Sequence, residues 1–378
     1  MRTLTARTLI TAIGTVSYPV ITIGSDGLIE DISTDASIQS KTILTPVFLD
    51  VHIHGAMGHD VMDANPEGLH AMQQFLARRG TGYYLPTTVT ASIESTLAAL
   101  NRLADAIEHP AHAGEATPLG IHLEGPFLSH TKRGVHQADL LQKPSVNLFD
   151  RFQQAARGHI RLLTLAPELE DADELIRHAS TSGVRVSLGH TSATAQQSRA
   201  AVAAGATSAT HTYNAMRPLD HREPGILGIV FDEPSLYAEL ICDGVHVAPE
   251  LVRLWLRAKA EHAILITDGI SATGMGDGRY ALGPLAVDVQ GDRCTLAGSP
   301  ATLAGSVLTL DRAVANLMRF TGCPLEAAVR CASSQPARML GLDTSVASLR
   351  QGQPASFNQY DASGNLTATY LHGKPVSA

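Results

Sequence analysis

Between residues 47 and 267, short apolar runs alternate with longer amphipathic stretches, and the alternation repeats eight times. The strand candidates are 47–52, 82–87, 119–123, 160–165, 184–188, 207–210, 237–241 and 263–267. Most are followed by a helical pattern, as in 66–79, 92–107, 171–182, 193–204 and 249–260. Such a chain buries its apolar runs in a mainly parallel sheet with helices packed against it. Eightfold repetition favours a (β/α)₈ barrel of the TIM type. A doubly wound open sheet is the other solution, and periodicity alone does not exclude it. After the eighth run, from about 278 to 301, the pattern turns β-like and reads as an inserted hairpin.

The two ends of the chain look alike. Residues 1–45 carry short strands (Leu9–Ile13, Val20–Ile23, Leu28–Ile32) and a Ser25-Asp26-Gly27 turn, where glycine suits a positive φ. Residues 343–378 show a similar pattern around the Asp361–Asn365 turn. Together they are expected to form one small β-sandwich domain flanking a catalytic barrel over 46–342.

Composition removes several classes of function. The net charge is −8 with no basic block and only 4% aromatic residues, which argues against nucleic-acid binding. No apolar run is long enough for a bilayer span, so no membrane role is expected. The first residues lack a signal-peptide core, and the 4 cysteines form no CxxC pair. They read as free thiols, which predicts a cytoplasmic protein.

Polar residues fall where a barrel keeps its chemistry, at the C-terminal ends of strands. His52 and His54 close the first run, and their i, i+2 spacing places both rings on one side of a strand. Glu124 follows the third run, His190 the fifth, His211 the sixth and Asp268 the eighth. Four imidazoles and two carboxylates suit one or two first-row metals. A metal acidifies water and polarises a carbonyl, and Asp268 is placed to move the proton. That set points to hydrolysis of an amide or related C–N bond. No G-x-S-x-G elbow offers a serine nucleophile. His59 and His122 read as structural, and Asp60 and Asp63 as loop residues.

Six segments carry a resemblance: Leu123-Glu124-Gly125-Pro126-Phe127, Leu188-Gly189-His190-Thr191, Thr210-His211-Thr212-Tyr213-Asn214-Ala215-Met216, Arg222-Glu223-Pro224-Gly225, Asp243-Gly244-Val245-His246 and Thr267-Asp268-Gly269-Ile270. With the His-x-His pair, they resemble the amidohydrolase superfamily, and within it the branch that deacetylates N-acetylglucosamine 6-phosphate. The resemblance covers about Pro46 to Leu342 and implies the barrel. It also implies roles. Glu124, His190 and His211 would hold a principal metal, and His52 and His54 a second, with Glu124 able to bridge. Asp268 would be the general acid/base beside the metal. His246 would touch the acetyl carbonyl. His136, Arg222 and the backbone of Asn214 and Ala215 would hold the sugar phosphate.

The implied cofactor is one or two divalent metals per subunit, zinc first, with iron, cobalt or manganese as alternatives. The implied partner is a small phosphorylated amino sugar, and the implied assembly is a homodimer in which Arg222 reaches the neighbouring site. Taken singly, Arg222 also reads as a surface ion-pair residue, His136 as a solvated loop residue and His246 as a structural loop histidine. The galactosamine epimer, an unphosphorylated N-acetyl sugar, an N-acyl amino acid and a non-catalytic scaffold are the rival readings. Two segments depart from the family pattern: Val47-Phe48-Leu49 before the first motif, and Pro354–Tyr360 near the end.

Overall fold

The structure is a computed structural model that describes residues 2–63, 65–109, 112–343 and 345–377. Eight parallel strands follow one another around a ring in chain order. They are β1 (Phe48–Ile53), β2 (Thr81–Thr88), β3 (Ile121–Glu124), β4 (Ile160–Leu165), β5 (Arg185–Leu188), β6 (Ser208–Ala209), β7 (Tyr237–Ile241) and β8 (Ala263–Ile266). The ring closes where Ile53 bridges Gly269 and the His54 N–H donates to the Gly269 carbonyl at 2.7 Å. The fold is thus the barrel, and the open-sheet alternative falls away. Closure has a local consequence: the Asp268 N–H donates to the His52 carbonyl at 2.9 Å, so the first and last strand ends share one corner.

Helices cover the ring: α1 (Pro66–Arg78), α2 (Ile93–Glu108), α3 (Val146–Ala155), α4 (Ala172–Thr181), α5 (Ala195–Ala204), α6 (Gly225–Asp232), α7 (Pro249–Lys259) and α8 (Leu310–Thr321). Their starts obey capping chemistry. Asn65 and Ser92 accept the Gly68 and Ser95 N–H groups, and Thr194 with Gln197 forms a reciprocal capping box. The strands turn Leu, Ile and Val side chains onto these helices, so the barrel wall is dry on its outer side.

Two strand candidates shift. The ladder of β3 starts at Ile121 and includes Glu124, which pairs with Thr164. The run at 207–210 pairs only at Ser208–Ala209, and the chain then leaves the ladder so that His211, at φ 29°, can turn its ring inward.

The chain ends form two sheets. Phe357–Tyr360 pairs antiparallel with Ile43–Pro46 in a six-stranded sheet, and Arg2–Thr5, Pro19–Ile23 and Ile29–Thr34 make a three-stranded one. Leu9, Ile21, Leu44 and Phe357 share the core between them. Gly27 has φ 80°, and a Cβ there would stand 2.5 Å from the His372 carbonyl oxygen, so the turn seats directly on the C-terminal backbone.

The insertion after β8 is a four-stranded antiparallel meander, not one hairpin. Its strands are Gly278–Leu282, Leu285–Gln290, Arg293–Leu296 and Ser299–Leu303. Gly283, Gly291 and Gly298 each supply a positive φ at a reversal, which lets so short a segment fold back three times.

Candidate active site

All six residues expected at strand ends meet at the barrel mouth. Glu124 stands at the centre. Its Oε1 lies 3.4 Å from His190 Nε2, 3.3 Å from His211 Nε2 and 3.4 Å from His52 Nε2. Its Oε2 lies 3.3 Å from His54 Nε2, which is itself 3.2 Å from Asp268 Oδ1. His190 and His211 approach at 3.1 Å through their Nε2 atoms, and His52 and His54 at 3.3 Å. A tetrahedral site with metal–ligand bonds of about 2.0–2.1 Å has edges of about 3.3 Å. The donor atoms therefore already stand at coordination spacing, in two sets that share Glu124.

Tautomers strengthen the fit. His54 Nδ1–H donates outward to the Thr87 carbonyl at 2.9 Å, and His190 Nδ1–H to the Lys132 carbonyl at 2.9 Å. His52 Nδ1 faces Glu239 Oε2 at 3.3 Å. With protons held outside, the neutral rings turn Nε2 lone pairs inward, against carboxylate oxygens. Glu124 Oε1 is buried and has no hydrogen bond among the described residues. Lone pairs converging on an orphaned carboxylate oxygen need a cation, and the N,N,O donor set suits a first-row divalent metal.

In the metal-free site a proton on His54 stands in for that cation. Burial pushes the His54 imidazole down, but Asp268 and Glu124 outweigh it and hold it up at about 9. Burial likewise opposes ionisation of Glu124 and Asp268, yet the surrounding histidines hold both carboxyls below their ordinary range. The residues that hold this charge strain their backbones: His190, His211 and Asp268 all have φ between 29° and 50°. Such strain persists where packing over-determines a site.

His136 differs from the ring of expected ligands. Its Nδ1 accepts the Thr90 N–H at 3.4 Å, which leaves the proton on Nε2, 3.7 Å from Glu124 Oε2. Burial pushes its pKa down to about 3, so it is a neutral N–H donor facing the cavity. That cavity holds about 400 Å³ and is lined by His136, Asn214, Ala215, His246 and Asp268, with Leu282 and Leu303 of the meander on its rim. His246 is fixed by Asp243, whose Oδ2 accepts from Nδ1 at 2.6 Å. Arg222 is not brought to this cavity: it is exposed on the loop before α6, and its N–H is held by Asp220 Oδ1 at 2.9 Å.

Two supporting residues escaped sequence reasoning. Glu239 sits fully buried in β7 behind His52. Asp50 is fully buried and accepts from the Thr267 hydroxyl at 2.6 Å and the His52 N–H at 3.2 Å. A carboxylate inside an apolar run was the available signal for both. His122, read from the sequence as structural, is buried as a brace, hydrogen-bonded to Thr164 Oγ1 at 2.8 Å with its ring edge against His52. Asp60 also does more than fill a loop: its Oδ2 accepts the Gly283 N–H at 2.6 Å and pins the meander.

A barrel with this mouth defines a metal-dependent hydrolase, and the chain belongs to the amidohydrolase family, whose model matches residues 43–376. Its relatives narrow the class. An N-acetylgalactosamine-6-phosphate deacetylase of Escherichia coli O157:H7 is 38% identical, with 93% of each chain covered. An N-acetylglucosamine-6-phosphate deacetylase of Vibrio furnissii is 36% identical, with 94% of this chain and 90% of that one covered. The N-acetyl-D-glucosamine-6-phosphate deacetylase of Mycobacterium smegmatis, solved as a mutant in complex with N-acetyl-D-glucosamine-6-phosphate, superposes with a TM-score of 0.92 at 34% identity, covering 100% of this chain and 99% of that one.

Proposed function

We propose that this chain hydrolyses the acetamide of N-acetyl-D-glucosamine 6-phosphate, giving D-glucosamine 6-phosphate and acetate. The observation that carries the reading is Glu124 Oε1, buried without a hydrogen bond among inward-facing imidazoles. The deacetylase relatives supply the substrate class.

Glu124, His190 and His211 would hold the principal metal, and His52, His54 and Glu124 a second, with Asp268 beside both; zinc is the first choice for the donor set. When bound, a divalent metal there acidifies water and polarises the acetamide carbonyl. Asp268 takes the proton from the attacking water and returns it to the amine nitrogen as the C–N bond breaks. His136 Nε2–H donates to the sugar and His246 contacts the acetyl oxygen, with their rings locked by Thr90 and Asp243. The backbone of Asn214 and Ala215 holds the sugar. Arg222, exposed in one chain, grips the phosphate in the site of a second, which makes the functional unit a homodimer of a cytoplasmic enzyme. No helix among the described residues is long and apolar enough to cross a membrane.

The test is acetate release by zinc-reconstituted protein from three substrates: N-acetylglucosamine 6-phosphate, its galactosamine epimer and unphosphorylated N-acetylglucosamine. Preference for the first is expected. Faster turnover of N-acetylgalactosamine 6-phosphate would move the assignment to the epimer, the activity that the Escherichia coli relative is named for.

A further inference from the structure

We propose a second metal site, separate from the catalytic centre, formed by His70, His112 and Glu115 and selective for a first-row divalent cation such as zinc. His70 lies in the second turn of α1, His112 in the loop after α2, and Glu115 in the segment that enters β3. This is the opposite end of β3 from Glu124, and none of the three residues lines the catalytic cavity.

The anchor is a buried carboxylate with imidazole neighbours. The Glu115 side chain is 2% exposed, and no lysine or arginine pairs with it among the described residues. His70 Nδ1 stands 3.1 Å from Oε1 and 3.0 Å from Oε2. The His112 ring lies over that of His70, with centroids 4.4 Å apart. One ligand atom from each of the three lies within 4.8 Å of the other two, a spread that small side-chain rotations close to a coordination triangle. The carboxylate is oriented independently of any cation, because Gln74 Nε2 donates to Oε1 at 3.1 Å and the His112 N–H to Oε2 at 3.3 Å. A ligand held by outer hydrogen bonds is the usual support of a metal site.

The two imidazoles, in contrast, are open. His112 is exposed, and the His70 side chain is 39% exposed, so a cation reaches the site from solvent. A cleft of about 490 Å³ between α1 and α2 borders both rings and leaves room for water at the remaining coordination positions. Two nitrogens and one carboxylate oxygen select zinc or its first-row neighbours over magnesium or calcium, which prefer all-oxygen sets. A bound cation would tie α1 to the chain entering β3.

The experiment counts metal in tag-free protein stripped with chelator and titrated with zinc alone. Wild type should take up one equivalent more than His112→Ala or His70→Ala, while turnover of the sugar phosphate by the variants stays within twofold of wild type. A His190→Ala variant should lose metal from the catalytic centre and retain this equivalent. Equal zinc stoichiometry in wild type and His112→Ala overturns the proposal. His112 is exposed and its replacement leaves the fold intact, so a melting curve like that of wild type makes that outcome decisive. A parallel titration with magnesium alone serves as the selectivity arm: tighter uptake of magnesium than zinc at this site would also overturn the proposal.

Discussion

Glu239 Oε2 stands 3.3 Å from His52 Nδ1, and neither side chain is exposed. The two residues come from β7 and β1, strands separated in the ring only by β8, and the carboxylate meets the ring on the side away from Glu124. Its place fixes which nitrogen of His52 carries the proton. Glu239→Gln should keep the fold but weaken zinc binding about 10–100-fold, the usual scale for losing such an outer partner. Chelator competition measures this. Wild-type affinity in the variant would show that the barrel wall alone orients His52.

Asp268 is the residue whose loss should separate chemistry from metal binding. Asp268→Asn removes the proton carrier while leaving Glu124, His190 and His211 in place. The expected result is a drop in kcat of about 10²–10⁴-fold with undiminished zinc at the Glu124–His190–His211 set. Metal analysis beside steady-state kinetics gives the answer, and near-normal turnover would remove Asp268 from the mechanism.

His136 should contribute to kcat without shaping the pH profile. Burial pushes its pKa down to about 3, so the ring stays neutral from pH 5 to 9. His136→Gln keeps a side-chain N–H and should lower kcat while the limbs of the kcat–pH curve stay where they are. A shifted acid limb would mean that His136 itself titrates in the working range.

Asp50 carries a pH-dependent term in stability. Burial raises its carboxyl from 3.8 to about 7, against the opposing pull of Thr267 and His52. Between those values the folded protein keeps a proton that the unfolded chain has released. Its contribution therefore falls as pH rises through the window, by at most about 4 kcal/mol. In metal-free protein, denaturant titrations at pH 5 and pH 8 should show a smaller loss of stability on going up in pH for Asp50→Asn than for wild type. Equal losses in the two proteins would place the carboxyl outside that window.

Arg222 is exposed in the single chain, so its effect should depend on the partner. Arg222→Ala should raise KM for the phosphorylated sugar at least tenfold and leave the unphosphorylated sugar unaffected. Mixed with Asp268→Asn subunits, Arg222→Ala subunits should regain a wild-type-like KM for the phosphorylated sugar, because one site of each hybrid then has Asp268 and a partner's Arg222. Absence of any rescue in hybrids shown to form would mean that the arginine acts within its own chain or not at all.

Much of the site was legible before any coordinates. His52 and His54 share a face because strand side chains alternate, and an eightfold strand–helix alternation brings strand ends to one mouth, which gathers Glu124, His190, His211 and Asp268 from across the chain. The strand–helix alternation and the likeness of the two chain ends follow from local periodicity and residue type, whereas closure into a barrel and not an open sheet is decided where Ile53 bridges Gly269. What periodicity does not carry is the partner of a buried polar group. Glu239 and Asp50 appear in the sequence only as charges within apolar runs, and their meaning depends on residues 187 and 217 positions away. The insertion after β8 is a meander and not the expected hairpin because Gly283, Gly291 and Gly298 each permit a reversal. Ring tautomers, the neutral state of His136 and the distance of Arg222 from its own cavity are likewise tertiary facts. They are decided by which carbonyl, amide or carboxylate packing places behind each side chain, and no local pattern encodes that.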